Sequence, residues 1–162
     1  MSLQQFSKAL YATPVSTAIR ETAGVIPTTQ SLHILAIAVV VGSALVMELR
    51  LAGMLATDES PQGVVRRYLP WLWAAVAVLL ATGTILVVGE PNRVLANPLF
   101  WIKMGLVVFG FVLTLLFRYP ILHPRFQLEH ARWASLTRPT AWLSLLVWIA
   151  VIACGRWIAY AI

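Results

Sequence analysis

Four stretches of this chain are long enough to cross a bilayer and almost free of charge, and this limits its fold more than any other feature. Thr22–Met47 carries no charge unless His33 is protonated, and Tyr68–Gly89 carries none. Val94–Phe117 is interrupted only by Lys103, and Pro139–Ile162 only by Arg156. About 20 apolar residues span the hydrocarbon layer. Backbone in that layer must satisfy its own hydrogen bonds, so each stretch predicts a membrane-spanning α-helix. No run alternates with the period of two that a β-barrel needs. The composition agrees, with 60% apolar and 11% charged residues against about 25% charged in a soluble domain. A mean hydropathy of +0.82 excludes a soluble domain, a disordered chain and a nucleic-acid binder, despite a pI of 10.3.

Prolines punctuate the pattern. Pro27, Pro70, Pro98 and Pro139 fall near the starts of the runs, where a missing N–H costs nothing, and Pro120 follows the third. The spans are placed at 27–53, 69–89, 98–119 and 139–161 of a single membrane domain covering 1–162. Trp71, Trp73, Trp101, Trp142 and Trp157 lie near their ends, as interfacial aromatics do. Residues 1–22 lack the apolar core and cleavage site of a signal peptide. Leu3, Phe6 and Leu10, then Val15 and Ile19, recur at helical spacing, which fits a short amphipathic helix on the membrane surface; a frayed terminus is the alternative. A second surface helix is expected around Arg125–Arg132, where Glu129 can pair with either arginine. The fold class is therefore an all-α, four-helix transmembrane bundle with a short N-terminal interfacial helix.

Loop charges set an expected orientation. Arg66 and Arg67 occupy the first loop, and Arg118, Arg125, Arg132 and Arg138 the third. The other side has Lys8, Arg20 and Arg93. The positive-inside bias places loops one and three in the cytoplasm and both termini outside, as in a bacterial inner membrane. The arginines also suit anionic lipid head groups. Cys154 is the single cysteine, so neither an internal disulfide nor a cysteine metal cage can form.

Ionisable groups inside hydrocarbon are costly and therefore functional candidates. His33 lies ~9 Å beyond Pro27, Lys103 ~7.5 Å beyond Pro98, and Arg156 ~9 Å from the chain end, at ~1.5 Å per residue. All three fall at one level of the outer leaflet. Gln30, Thr82 and Thr84 could join them, and Glu90 at the lip of helix two is the nearest carboxylate. Taken singly, each has an ordinary explanation. A histidine can hydrogen-bond a neighbouring helix, and Lys103 and Arg156 can snorkel to the interface. Together, two cations and an imidazole would repel one another in lipid unless an anion joined them. A haem meets that requirement, with His33 as axial metal ligand and proton acceptor, Met104 or Lys103 as further donors, and Lys103 and Arg156 on the propionates. His123 and His130 fall in the third loop and read as surface histidines. Met47 and Met54 read as packing. Glu48 and Arg50 are two residues apart and cannot face each other on a helix; Arg118 is a candidate partner for Glu48. Ala36, Gly42, Ala52, Gly105 and Gly110 suggest close helix contacts.

The segment SLHILAIAVVVGSALVMELRLAG, NPLFWIK at 97–103 and GRW at 155–157 resemble an uncharacterised family of small four-helix bacterial membrane proteins. The resemblance runs over nearly the whole chain. More distantly, the arrangement resembles HemJ-type protoporphyrinogen oxidases and the membrane domains of CopD-like copper-resistance proteins. The first of these implies a functional pair of His33 and Lys103, haem b, and Arg50 as the arginine closing helix one. The tryptophan that follows the histidine in those enzymes has no counterpart here, nor has the proline before the arginine. What the resemblance implies is thus a haem-binding bundle more than the oxidase reaction itself.

The expected function is binding of haem b or a similar anionic redox cofactor, for electron transfer or a porphyrin-linked oxidoreductase reaction. His33 and Lys103 are its candidate catalytic residues. Electrons would pass to a quinone or a redox partner protein, with homo-oligomer formation also open. The alternatives are a non-enzymatic membrane subunit that anchors a redox partner, and CopD-like transport of a metal or small solute.

Overall fold

A computed structural model describes residues 2–118, 120–122 and 131–158. The expected surface helix at Arg125–Arg132 lies outside these residues apart from its last two, as do His123 and His130. Seven α-helices follow in order among the described residues: α1 (Leu3–Tyr11), α2 (Pro14–Glu21), α3 (Val25–Leu51), α4 (Pro61–Gly89), α5 (Pro91–Leu95), α6 (Pro98–Phe117) and α7 (Ala131–Ile158). A 3₁₀ turn, Pro120–Leu122, follows α6. Helices α3, α4 and α6 and the Arg138–Ile158 part of α7 are long and apolar enough to span a membrane. This is the expected all-helical, four-span architecture.

Two prolines were expected to start helices and do not. α4 begins at Pro61, with the Ser60 hydroxyl accepting from the Gly63 amide at 3.1 Å, so Pro70 lies inside it. α7 begins at Ala131 and contains Pro139. Ser60 and Pro61 form a complete start signal, and a proline removes only one amide from an established long helix. Pro98 does open α6, with the Asn97 side chain accepting from the Leu99 amide at 2.9 Å.

The spans pack in the cyclic order α4, α3, α7, α6. α3 lies along α4, α6 along α7, and α3 against α7. α4 and α6 hardly approach backbone to backbone; they meet through side chains, with Trp73 stacked on Phe111 at 5.4 Å between ring centroids. The core runs through Val40, Ala44, Met47, Leu72 and Trp148. Of the small residues singled out above, Ala36 is buried and Gly110 lets α6 approach Val147 and Trp148. Gly42 and Gly105 face open space instead; without a residue opposite them, their lack of a side chain marks no helix contact. Trp71, Trp101, Trp142 and Trp157 are exposed near the span ends, as interfacial residues should be.

The bundle has two distinct ends. One, here the terminal face, carries α1, α2, α5, the starts of α3 and α6 and the ends of α4 and α7. Its N-terminal segment forms two helices where one was expected, because Pro14 opens a second helix behind the Thr13 cap. The Ser16 hydroxyl donates to the Val88 carbonyl at 2.7 Å, and Arg20 donates to the Gly89 carbonyl at 3.3 Å. Arg20 also lies 3.6 Å from the centre of the Tyr11 ring. A cation is thus set on the carbonyl end of α4, where the helix dipole favours it. A β-carbon at Gly89 would come within 2.9 Å of Ile19, so this docking needs a glycine. Leu3, Phe6 and Val15 stay exposed, as suits helices lying on an apolar interface.

The other end is rich in arginine. Arg50 donates to the Glu59 carbonyl through Nε at 2.8 Å, and the exposed Arg67 and Glu59 side chains pair at 3.0 Å. At this end Glu48 of α3 meets Arg118, the C-cap of α6 and the candidate partner named for it above. Arg118 donates to the Glu48 carboxylate through both Nε and Nη2, and both side chains are only 3% exposed. Ser144 of α7 also hydrogen-bonds Glu48. Three spans therefore share one buried polar cluster.

Removing one partner of a buried pair leaves an uncompensated charge, costing about 3–5 kcal/mol. Arg118→Leu should lower the stability of the detergent-solubilised protein by about that amount in chemical or thermal unfolding. The Glu48→Leu/Arg118→Leu double variant should recover most of the loss, since no charge is then stranded.

Candidate functional site

At the terminal face, each spanning helix contributes to one level of the bundle. His33 is eight residues past the start of α3, Thr82 and Gly83 are six to seven residues before the end of α4, Lys103 is five past the start of α6, and Cys154 and Gly155 lie in the last turns of α7. Antiparallel packing of neighbouring spans brings these positions together.

His33 Nδ1 and Thr82 Oγ1 are 2.7 Å apart. The Thr82 hydroxyl also lies 2.7 Å from the Val78 carbonyl, one turn back in its own helix. A hydroxyl has one proton to give. With that proton on the Val78 carbonyl, the Thr82 oxygen accepts from His33 Nδ1–H. The opposite nitrogen, Nε2, is then left with a lone pair, which is the form in which histidine binds a metal or takes a proton. The imidazole rests against Gly83, whose missing side chain leaves room; its Cε1 is 3.5 Å from where a β-carbon would stand.

Lys103 is half-buried and near enough to His33 for their charges to interact. Its Nζ is 3.8 Å from the β-carbon position of Gly155 and it is also an electrostatic neighbour of the Cys154 sulfur. A glycine thus stands beside each of the two polar side chains, on α4 for the imidazole and on α7 for the ammonium. The imidazole and the lysine lie within range of each other's charge, each packed beside its own glycine. Arg156, next to Gly155, carries an exposed side chain, as does Gln30; Met104 is half-buried one residue from Lys103. The cluster therefore centres on two of the three ionisable groups, with Arg156 at its solvent- or lipid-facing margin. Thr84 bonds to the Leu80 carbonyl of its own helix at 2.7 Å and is exposed.

Thr82 was named at sequence level only for its depth. Its role as the partner of His33 depends on the rotation of α4 against α3, which hydropathy does not encode. Gly83 carried no signal beyond being small, and Gly155 was marked only as the first residue of GRW, with no role assigned. Among the described residues, no three of His, Cys, Asp and Glu converge as a metal-binding group, so any metal held here would rest on His33 with a ligand from elsewhere.

A family model described as "Family of unknown function (DUF6644)" matches residues 12–161, and the chain belongs to that family. The match spans α2 to α7 and contains all the residues of the site. No curated protein and no solved structure matches the chain.

The hydrogen bond to Thr82 makes a direct prediction. Thr82→Val preserves shape but removes the acceptor of His33 Nδ1–H, and should cost about 1–3 kcal/mol in detergent unfolding. Thr82→Ser should keep most of that stability, and Thr84→Val, at an exposed position two residues on, should change little.

Proposed function

We propose that this member of the family binds an amphiphilic, anionic redox group, with haem b as the candidate, at the level of His33 and Lys103. The observation that carries the reading is the 2.7 Å His33–Thr82 bond. With the Thr82 proton on the Val78 carbonyl, that bond takes up Nδ1–H and leaves Nε2 available within range of the Lys103 charge. The donor set suits a haem in kind: one imidazole nitrogen for the iron, one ammonium for a propionate, and the exposed Arg156 for an acidic group reaching toward the membrane surface. When bound, haem supplies one-electron chemistry. The chain's own part is to hold the imidazole in one tautomer, balance the acidic groups and keep bulk water away. His33 and Lys103 are then the functional pair.

Several features support the rest of this reading. The arginines cluster at the end away from the termini, in keeping with a cytoplasmic position for that end and a bacterial inner-membrane setting. The seam between α4 and α6 gives a membrane-soluble electron carrier such as a quinone a lateral approach, because those two spans lack close backbone contact. A second reading, a non-enzymatic subunit that anchors a redox partner, draws on α6. Of its twenty residues only Gly110, Leu113 and Thr114 are buried, so most of its surface is open to a partner, a second copy or lipid.

The test is the absorption spectrum of protein purified from haem-replete cells, oxidised and reduced. The proposal expects a Soret band, at least halved in intensity per protein by His33→Ala and weakened by Lys103→Met. Colourless wild-type protein that co-purifies with a stoichiometric partner favours the anchoring reading. Pigment unchanged in both variants would overturn the assignment of the site.

A further inference from the structure

A recess lies at the opposite end of the bundle, far from His33. It has a volume of about 260 Å³ and is lined by Arg66, Leu69, Pro70 and Trp73 of α4 and by Leu122 of the 3₁₀ turn. The four α4 residues are spaced i, i+3, i+4 and i+7, so they form one stripe of the helix. The slot between them is apolar. Leu69 is buried, Trp73 is fixed by its stack on Phe111, and Ile121, next to Leu122, anchors the turn in the core. Its polar component is Arg66, whose side chain is exposed.

Pro70 adds a second feature. It stands four residues after Arg66 and has no N–H, so the Arg66 carbonyl lacks the amide that would normally close its helical turn. At the end of one apolar slot, then, a guanidinium offers donors and a main-chain carbonyl offers an acceptor. The volume lies below the range of about 300–1,000 Å³ typical of pockets that enclose a whole small molecule. It suits a segment of a longer molecule whose remainder lies in the bilayer.

We infer that this recess is a binding site for one anionic phospholipid of the leaflet facing the arginine-rich end. Its phosphate pairs with Arg66, a head-group hydroxyl donates to the Arg66 carbonyl, and part of an acyl chain lies along Leu69, Trp73 and Leu122. Charge complementarity selects the occupant. Among the described residues that line the recess, the one charged residue is Arg66, and its side chain is exposed. Arg67, one residue away, already pairs with Glu59 and projects from another face of α4, so the site discriminates between adjacent arginines. The inference is independent of the cofactor reading, because it involves no residue of the His33 site.

Native mass spectrometry of the full chain in mild detergent tests it, with phosphatidylglycerol and phosphatidylcholine of identical acyl chains as probes. One phosphatidylglycerol should be retained in preference to phosphatidylcholine. Arg66→Gln should weaken that retention about tenfold, the effect of losing one charge-assisted contact, while Arg67→Gln should leave it within twofold. Leu122→Trp, which fills the slot from the side of the turn, should abolish it even though Arg66 is intact. Equal retention of the two lipids, or unaltered binding in Arg66→Gln, would overturn the site. So would equally tight binding of glycerol 3-phosphate, which has a head group and no tails, because that marks a soluble-anion site.

Discussion

A polar group inside an apolar bundle needs a hydrogen-bond partner, and two pairings made between helices hold this protein in register. At one end Glu48, Arg118 and Ser144 tie α3, α6 and α7 together with almost no exposure to solvent. At the other, His33 and Thr82 tie α3 to α4. Hydrophobic burial supplies little orientation between helices in lipid, because the surrounding chains are as apolar as leucine. A one-residue rotation of α3 would separate both pairs at once. These contacts therefore fix which face of each helix points inward, and with it the placement of His33 and Lys103.

The two ends differ in how they use charge. The Glu48–Arg118 pair is internally balanced and surrounded by packed side chains, which suits a structural fastening. The His33–Lys103 cluster has no carboxylate of its own among the residues described at that level. Its imidazole is held by a neutral hydroxyl, and its ammonium lies beside a glycine and a thiol. A lysine and an imidazole, both half-buried with no carboxylate described at their level, are the setting on which the proposed anionic group rests.

Much of the architecture was legible before any coordinates. Run length gave the four spans, and positions near their ends gave four exposed tryptophans. Trp73, expected at the interface with them, instead packs against the core on Phe111. Arg118 could be matched to Glu48 because Arg50 was excluded by helical geometry. The common depth of His33 and Lys103 followed from counting residues from Pro27 and Pro98. Other features were hidden for physical reasons. Pro70 and Pro139 look like helix starts because proline usually is one, but Ser60–Pro61 makes a stronger start upstream and long helices tolerate an internal proline. The docking of the N-terminal helices depends on Arg20 reaching the end of α4, a contact 69 residues apart in sequence. Depth alone could not tell that Arg156 turns outward while Lys103 turns inward, because depth carries no information on helix rotation. The same gap concealed Thr82 as the partner of His33.

The central claim is that Thr82 holds His33 as the Nδ1–H tautomer, presenting Nε2 to a bound group. Nitrogen-15 spectroscopy of histidine-labelled protein, with the His33 signal assigned by its loss in His33→Asn, reads that tautomer directly. The account predicts a protonated Nδ1 in the protein free of added ligand, with the population shifting toward Nε2–H in Thr82→Val. A His33 resonance already dominated by Nε2–H in the wild type, and indifferent to Thr82→Val, would contradict it.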